Sequence, residues 1–368
     1  MHRRVLEYRR RGVAVDVVCV SSDAETSSYQ YDGVQVHVCA PDVLRETLKL
    51  STPKAIAVHF LDRNIWEGIR DAAHRVNTVV WLHGAEVQSW THRAFNFATD
   101  AERDRARDES ASRTEFWRSI LSDPPQGLRL VFVSRVFAEQ TWRDLGVDFP
   151  GERWHVIHNP IDVNLFAHVE KPEAMRNRIL SVRPHDSRIY ANDLVAEVIR
   201  TLSAHPEFSS LSFHLVGDGE LFEENFRGLD QFSNVLIEKR LIRQEEIAAL
   251  HREYGVFLVP TRGDTQGVSR DEAMASGLVP VTNRVGAVEE FADEEVAILA
   301  AGEDVAGMVD GIRQLVADPA RFGRMSRAAA ARVRAQSAAS KICGEELEIL
   351  GLRANSRPCM NPSAKNSE

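Results

Sequence analysis

Cysteine is scarce in this chain. Four occur in 368 residues, Cys19, Cys39, Cys343 and Cys359, and no two share a C-x-x-C spacing. That pattern speaks against a disulfide framework or a cysteine-paired zinc site, and it suits a reducing cytoplasm. Cys19 and Cys39 fall inside apolar, strand-like runs, where buried thiols are expected. Long apolar runs are also lacking: none approaches the roughly 18 residues that a membrane span requires. The opening MHRRVLEYRRRGVAVDVVCV is basic, but Asp16 breaks its apolar part and no small-residue cleavage site follows. It reads as a helix feeding a strand rather than a signal peptide. Positive charge is not in excess, since 45 Lys and Arg face 54 Asp and Glu for a net charge of -9. A general nucleic-acid binder, which needs a basic face to release phosphate counterions, is thereby disfavoured. There is no D-x-D triplet, and the 13 histidines offer no ligand-spaced pair. No metal and no other cofactor is expected.

What the chain does have is a regular alternation. Hydrophobic content of 43% and charged content of 27% are those of a globular protein, long enough here for two domains. Apolar strand-like runs stand at 13–20, 34–40, 55–60, 78–84, 128–134 and 154–159 in the first half. In the second half they stand at 178–184, 211–219, 235–240, 256–261, 279–283 and 296–300. Strands apolar along their length and separated by helices predict parallel sheets covered on both faces. The expected organisation is a first domain over 1–160, a polar linker over 161–177, a second domain over 178–338 and a last helix over 339–353. The segment 354–368 lacks apolar periodicity and is expected to be disordered. The Arg-rich segment 88–122 reads as a solvated helical excursion. A doubly wound domain normally opens with a strand and a glycine turn, whereas this chain opens in the helix RRVLEYRRRG. The expectation is that a strand and a glycine loop lie upstream of the given start.

One segment concentrates chemistry. In GDTQGVSRDEAMASG, residues 263–277, Asp264 precedes a helix, Glu272 lies inside it and Gly267 separates them. The segment follows the strand VFLVPT, and ligands of open α/β sheets sit beyond the carboxyl ends of strands. A helix N-terminus offers unpaired N–H groups and partial positive charge to a phosphate, and Gly267 lets the backbone approach it. Glu272 is placed to accept both vicinal hydroxyls of a ribose, and Asp264 those of a sugar beyond the phosphates. The competing reading makes Asp264 a helix cap and Glu272 a solvated charge.

The segment resembles the E-x7-E region of retaining glycosyltransferases of the GT-B fold, family 4 (group 1 glycosyltransferases). Here it reads D-TQGVSRD-EAMASGLVPV, with Asp264 standing for the usual first Glu on a shorter arm. LHGAE at 82–86, VFVSRVFAEQ, VIHNPIDVNLF, FHLVGDGE and NRVGAVEEF resemble further stations of that family, in order, over roughly residues 1–335. The resemblance implies an α/β GT-B architecture, two Rossmann-like doubly wound domains facing across a cleft. It implies a nucleotide-sugar donor on the second domain and a glycan or lipid-linked glycan acceptor on the first. For the donor diphosphate it points to Arg183 and to Arg188, the latter where the family usually has Lys, together with Gly267, Val268 and Ser269. Tyr190, Asn192 and Asp193 read as a helix start with its cap. Glu272 would hold the ribose, Asp264 the transferred sugar, and His83 of the His-Gly turn a sugar or acceptor group. The implied front-side mechanism needs no general base and no bridging metal.

The function expected is transfer of a sugar to an acceptor hydroxyl with retention, in the cytoplasm. Arg3, Arg4, Arg9, Arg10 and Arg11 offer weak peripheral contact with an anionic membrane, against the alternative of a solvated helix face. Two rivals remain. One is a nucleotide-sugar epimerase of the same fold; the other is a non-catalytic nucleotide-sugar binding protein or inactive fragment. A glycosidase is rejected because one loop-helix segment supplies both carboxylates.

Overall fold

The computed structural model describes residues 2–352. The expected tail at 354–368 and Cys359 lie outside the described residues.

The first domain runs through α1 (His2–Arg10), β1 (Val17–Val20), β2 (Ser27–Tyr31), β3 (Val34–Cys39), α2 (Pro41–Leu50), β4 (Ala55–His59), α3 (Arg63–Ala73), β5 (Asn77–Leu82), α4 (Asp100–Ser122), β6 (Leu128–Phe132), α5 (Arg135–Leu145) and β7 (Trp154–Val156). Its strands form two sheets, a three-stranded β1-β3-β2 and a four-stranded β4-β5-β6-β7. The second is parallel throughout, and so is the β1–β3 pair. β2 runs antiparallel to β3 and was not foreseen from sequence. Its SSYQY is exposed at every position, so no apolar face marks it. The hairpin turns through Asp32 and Gly33, both at positive φ, the geometry that lets two residues reverse a twisted pair.

Two expectations are corrected here. Cys19 is exposed, as is Val18 on the opposite face, so the middle of β1 is covered on neither side; Cys39 is buried as expected. The segment 88–122 is not simply a solvated excursion. A Thr99–Glu102 capping box starts α4, and its later turns bury Phe116, Trp117, Ile120 and Leu121 in the first domain's core.

The second domain contains β8 (Arg178–Val182), α6 (Asn192–Leu202), β9 (Ser212–Gly217), α7 (Phe222–Phe226), β10 (Val235–Lys239), α8 (Gln244–Glu253), β11 (Val256–Leu258), α9 (Val268–Ala275), β12 (Val279–Arg284), α10 (Val288–Phe291), β13 (Ile298–Ala301), α11 (Val305–Ala317) and α12 (Pro319–Ser337). All six strands are parallel, in the order β10-β9-β8-β11-β12-β13. Ile179, Val256, Leu258, Val279 and Val281 are fully buried, as strands covered on both faces must be. The strand order reverses between β8 and β11, and the loops after these two strands flank the crevice where such sheets bind ligands.

The chain passes between the domains twice. On the first passage Ile161 and Phe166 are buried in an apolar cluster with Met274 and Ala329, so this stretch is more than a polar linker. On the second, Ala338 leads into α13 (Ala339–Ile349), which packs on α1. The passages are hydrogen-bonded to each other: Ile161 N donates to Ser337 O at 2.8 Å, and Ala339 N to Ile161 O at 2.9 Å. Buried Glu346 of α13 accepts from Arg4 Nε at 2.7 Å and from Tyr8 OH at 2.5 Å. Arg4 is therefore neither a membrane contact nor part of a solvated face. Arg3 is likewise engaged, by Asp162, Gln244 and Glu245. Among the described residues no helix is long and apolar enough to cross a membrane.

Candidate functional site

The loop from β11 to α9 is held in one shape by its own side chains. Gly267 sits at φ +84°, and a Cβ there would lie 2.5 Å from Asp264 Oδ2 and 2.7 Å from the Arg270 guanidinium. Only glycine fits. It begins α9 with no side-chain cap, so the first N–H groups of the helix are left to a ligand or to water. Beside them stands Arg183, at the end of β8. Its Nη1 donates to Ser269 Oγ at 2.8 Å, its guanidinium lies 4.8 Å over the Tyr190 ring, and its Nε is buried without a partner. Burial works against the charge of Arg183, while Asp264 supports it. The crevice thus brings together a partly unsatisfied arginine and an uncapped helix N-terminus, a cradle suited to phosphate oxygens.

Asp264 does not cap the helix. Its Oδ1 accepts from Gln266 N at 2.9 Å and its Oδ2 from Arg270 Nη1 at 3.1 Å. Its carbonyl accepts from Ala287 N at 2.9 Å, which ties the loop to the turn after β12. Behind it lies a group that sequence reasoning missed. Buried Arg270 also donates to Asp271 Oδ1 at 3.0 and 3.2 Å and to the Gln266 carbonyl. Gln266 donates in turn to Asp271 Oδ2 and to Asn159 O, both at 3.2 Å. The available signal was an Arg-Asp pair inside a helix whose residues 270–275 are all buried. Burial pushes Asp271 up to about 6, against the pull of Arg270.

Glu272 is 8% exposed, so it is not a solvated surface charge. Burial pushes its carboxyl up to about 8, helped by the negative charge of Asp271 and opposed by Arg3. Its one hydrogen-bond partner among the described residues is Gln244 Nε2 at 3.1 Å, and Gln244 is held by Arg3 of α1 at 2.6 Å.

On the first domain, His83 closes β5. Burial lowers it to about 3, so the ring is neutral; its Nε2 lies 2.9 Å from His59 Nδ1 and its face packs on Phe60. Such a ring is a weak base and a competent hydrogen-bonding surface. The His83 carbonyl accepts from Thr265 Oγ1 at 2.7 Å, so the His-Gly turn abuts the Asp264 loop directly. Glu290 makes a second crossing. Its carboxylate accepts from Arg135 N at 2.9 Å and Val136 N at 3.1 Å, capping α5 of the other domain.

The structure thus gathers Arg183, Gly267, Val268, Ser269, Asp264 and Glu272 around one loop, with His83 facing them. Arg188 stands differently, its guanidinium engaged by exposed Glu224 at 3.1 Å. Tyr190 lies under Arg183, and α6 starts at Asn192 without a side-chain cap, Asn192 bonding Pro184 O and Asp193 bonding Arg262 instead. Between the domains a cavity of about 420 Å³ is lined by Arg93 and Gln140 on one side and by Arg262, Asp264 and Gly286 on the other. Among the described residues no group of three or more His, Cys, Asp or Glu side chains is arranged to hold a metal ion.

Residues 176–318, from just before β8 to the end of α11, match the family described as Glycosyl transferases group 1. The fold is similar to sucrose-phosphate synthase from Thermosynechococcus elongatus, at 15% identity and a TM-score of 0.69, over 91% of this chain and 87% of that one. It is similar to α,α-trehalose 6-phosphate synthase from Burkholderia multivorans, at 13% identity and a TM-score of 0.63, over 91% and 89% of the two chains. It is also similar to HepE of Anabaena, solved in complex with UDP and glucose, at 15% identity and a TM-score of 0.60, over 84% and 80%. No curated protein sequence matches the chain. Two Rossmann-like domains in the GT-B arrangement are thus the architecture, and the second of them carries the group 1 glycosyl transferase match.

Proposed function

We propose that this GT-B chain transfers a sugar from a nucleotide-sugar donor to an acceptor hydroxyl, with retention of anomeric configuration, as a family 4 enzyme. The observation that carries the reading is the crevice beyond β8 and β11. There Arg183 and the uncapped start of α9 offer positive charge, and buried Glu272 lies further along the same helix. A diphosphate suits the first two and a ribose diol the third. HepE of Anabaena, which is similar in fold and was solved with UDP and glucose, supports the assignment by analogy.

In this reading the donor lies on the second domain with its sugar toward Asp264. The acceptor, a glycan or lipid-linked glycan hydroxyl, approaches from the side of His83. The acceptor oxygen attacks the anomeric carbon on the face that the diphosphate leaves, and the departing diphosphate oxygen takes the acceptor proton. The protein contributes positioning and charge stabilisation. Arg183, with the amides of Val268 and Ser269, meets the charge that builds on the diphosphate. Asp264, held by Arg270, orients the transferred sugar. Neutral His83 contributes a hydrogen bond rather than proton abstraction. The Thr265 and Glu290 crossings keep the domains closed and exclude water from the donor. No step requires a metal, and a cytoplasmic setting supplies both donor and reduced thiols.

A ligand-detected NMR screen of uridine and guanosine nucleotide sugars, followed by an acceptor-extract assay with NMR assignment of the product anomer, tests the reading. Binding of one nucleotide sugar and an acceptor-dependent product of unchanged anomeric configuration are expected. Turnover without acceptor would identify an epimerase, tight binding without transfer a binding protein, and an inverted product would overturn retention.

A further inference from the structure

The charged side chains that line the interdomain cavity are matched by partners, with one exception. Arg262 is held by Asp193 at 2.7 Å and Glu303 at 2.6 Å, Asp264 by Arg270 at 3.1 Å and His92 by Asp144 at 2.7 Å. Arg93 has no carboxylate within 4.0 Å among the described residues, and its Nε is buried without a hydrogen-bond partner. It sits where the 3-10 segment Trp90–Asn96 breaks, at φ −131° and ψ 20°. Its Nη2 lies 3.7 Å from the place a Cβ on Gly84 would take, beside Thr265 of the facing domain. Arg113 of α4 interacts with Arg93 through its charge, and its Nε is also buried and unpartnered. The carboxylate that acts on both is Glu86, whose two oxygens already accept from the His83 and Gly84 amides. Glu109 also supports the charge of Arg113, so the imbalance lies at Arg93, which lines the cavity with no carboxylate at ion-pair distance among the described residues.

Arg93 is half-buried, and a guanidinium whose Nε is shut off from water and unpaired is costly unless a ligand supplies a partner. The diphosphate of the donor does not fill this role, because Arg183 and Ser269 do not line the cavity. We infer that Arg93 receives an anionic group, a phosphate monoester or a carboxylate, carried by the acceptor. The acceptor is then an acidic saccharide or saccharide phosphate rather than a neutral glycan. This inference rests on the donor-site reading above.

Glucose 6-phosphate, glucuronate and glucose, titrated calorimetrically into the full chain saturated with whichever of UDP and GDP it binds, form the test. At least one anion should bind on the order of tenfold more tightly than glucose, the scale of a charge-assisted hydrogen bond. Which anion does so distinguishes phosphate from carboxylate. Arg93→Gln should erase the preference and leave nucleotide affinity and thermal unfolding unchanged, while Arg93→Lys should restore part of it. Equal binding of all three probes, or a preference that survives Arg93→Gln, overturns the inference. Failure to bind either nucleotide would instead defeat the donor reading. In that case the same titrations into the free protein decide for Arg93 if Arg93→Gln, and not Arg183→Gln, abolishes anion binding, and against it otherwise.

Discussion

Replacing Glu272 with Gln should change how stability depends on pH. Glu272 titrates at about 8 in the folded chain, against 4.5 for an ordinary Glu, because burial penalises its charge. Between those values the folded protein holds a proton that the unfolded chain has released. Stability therefore falls as pH rises, with a limiting slope of about 1.4 kcal/mol per pH unit. Integrated from pH 6 to pH 8, this one carboxyl removes about 2 kcal/mol, the slope easing as pH nears the folded value. Gln does not titrate, but its Oε1 can still accept from Gln244 Nε2 as Glu272 does at 3.1 Å. Urea unfolding of both proteins at pH 6, 7 and 8 should show near-equal stability at pH 6. At pH 8 the variant should be the more stable by about 2 kcal/mol. Asp271, pushed up to about 6, titrates in both proteins and largely cancels in the difference. Parallel pH profiles would refute the claim that Glu272 is a buried, protonated acid. In the parent, ionisation also improves the group as an acceptor, so in the proposed donor pose, with Glu272 on the ribose, nucleotide-sugar affinity should rise toward pH 8 and stay flat in Glu272→Gln.

Arg183→Gln should weaken nucleotide-sugar binding by about 2 kcal/mol, the scale of a charged hydrogen bond to phosphate, with little change in thermal unfolding; calorimetry reads the first and a melt the second. Asp264→Asn should lower kcat while nucleotide affinity holds, since the proposed donor pose puts it beyond the diphosphate; steady-state kinetics with separate donor titration checks the split. Glu290→Ala removes the acceptors of Arg135 N and Val136 N, leaving Ser134 to cap Phe137 N, and should destabilise by about 1 kcal/mol. It should also raise donor hydrolysis without acceptor, measured as free sugar release, because the cleft is less firmly closed.

Much of the second domain was legible because parallel strands buried on both faces leave unbroken apolar runs, as at 256–261 and 279–283. Gly267 and Glu272 were legible because a glycine before a helix and a carboxylate inside it are local signals. Partnership was not. Arg188 stands where a phosphate cation was expected, but Glu224, 36 positions along, engages it. Arg270 and Asp271 carry no local signal of their pairing, because only packing buries them together, and Arg93 stood unnoticed in an Arg-rich stretch. The run holding Cys19 misled as well: it is apolar, but exposure there depends on what packs over each face of the strand. β2 escaped because a strand exposed at every position carries no alternation to read.

The double passage between the domains has a mechanical consequence. A single connecting segment would act as a tether, leaving the two bodies free to twist and bend in several directions. Here the segment through Ile161 and the one through Ala338 run side by side, joined by backbone hydrogen bonds. Two parallel strips under a rotating body define an axle. Motion about that axle opens and shuts the cleft; motion in any other sense must shear the bridge or pull α13 from Glu346's contacts with α1. The second domain thus has one favoured swing about that axle, the one motion that would bring Thr265 back to the same carbonyl on closing.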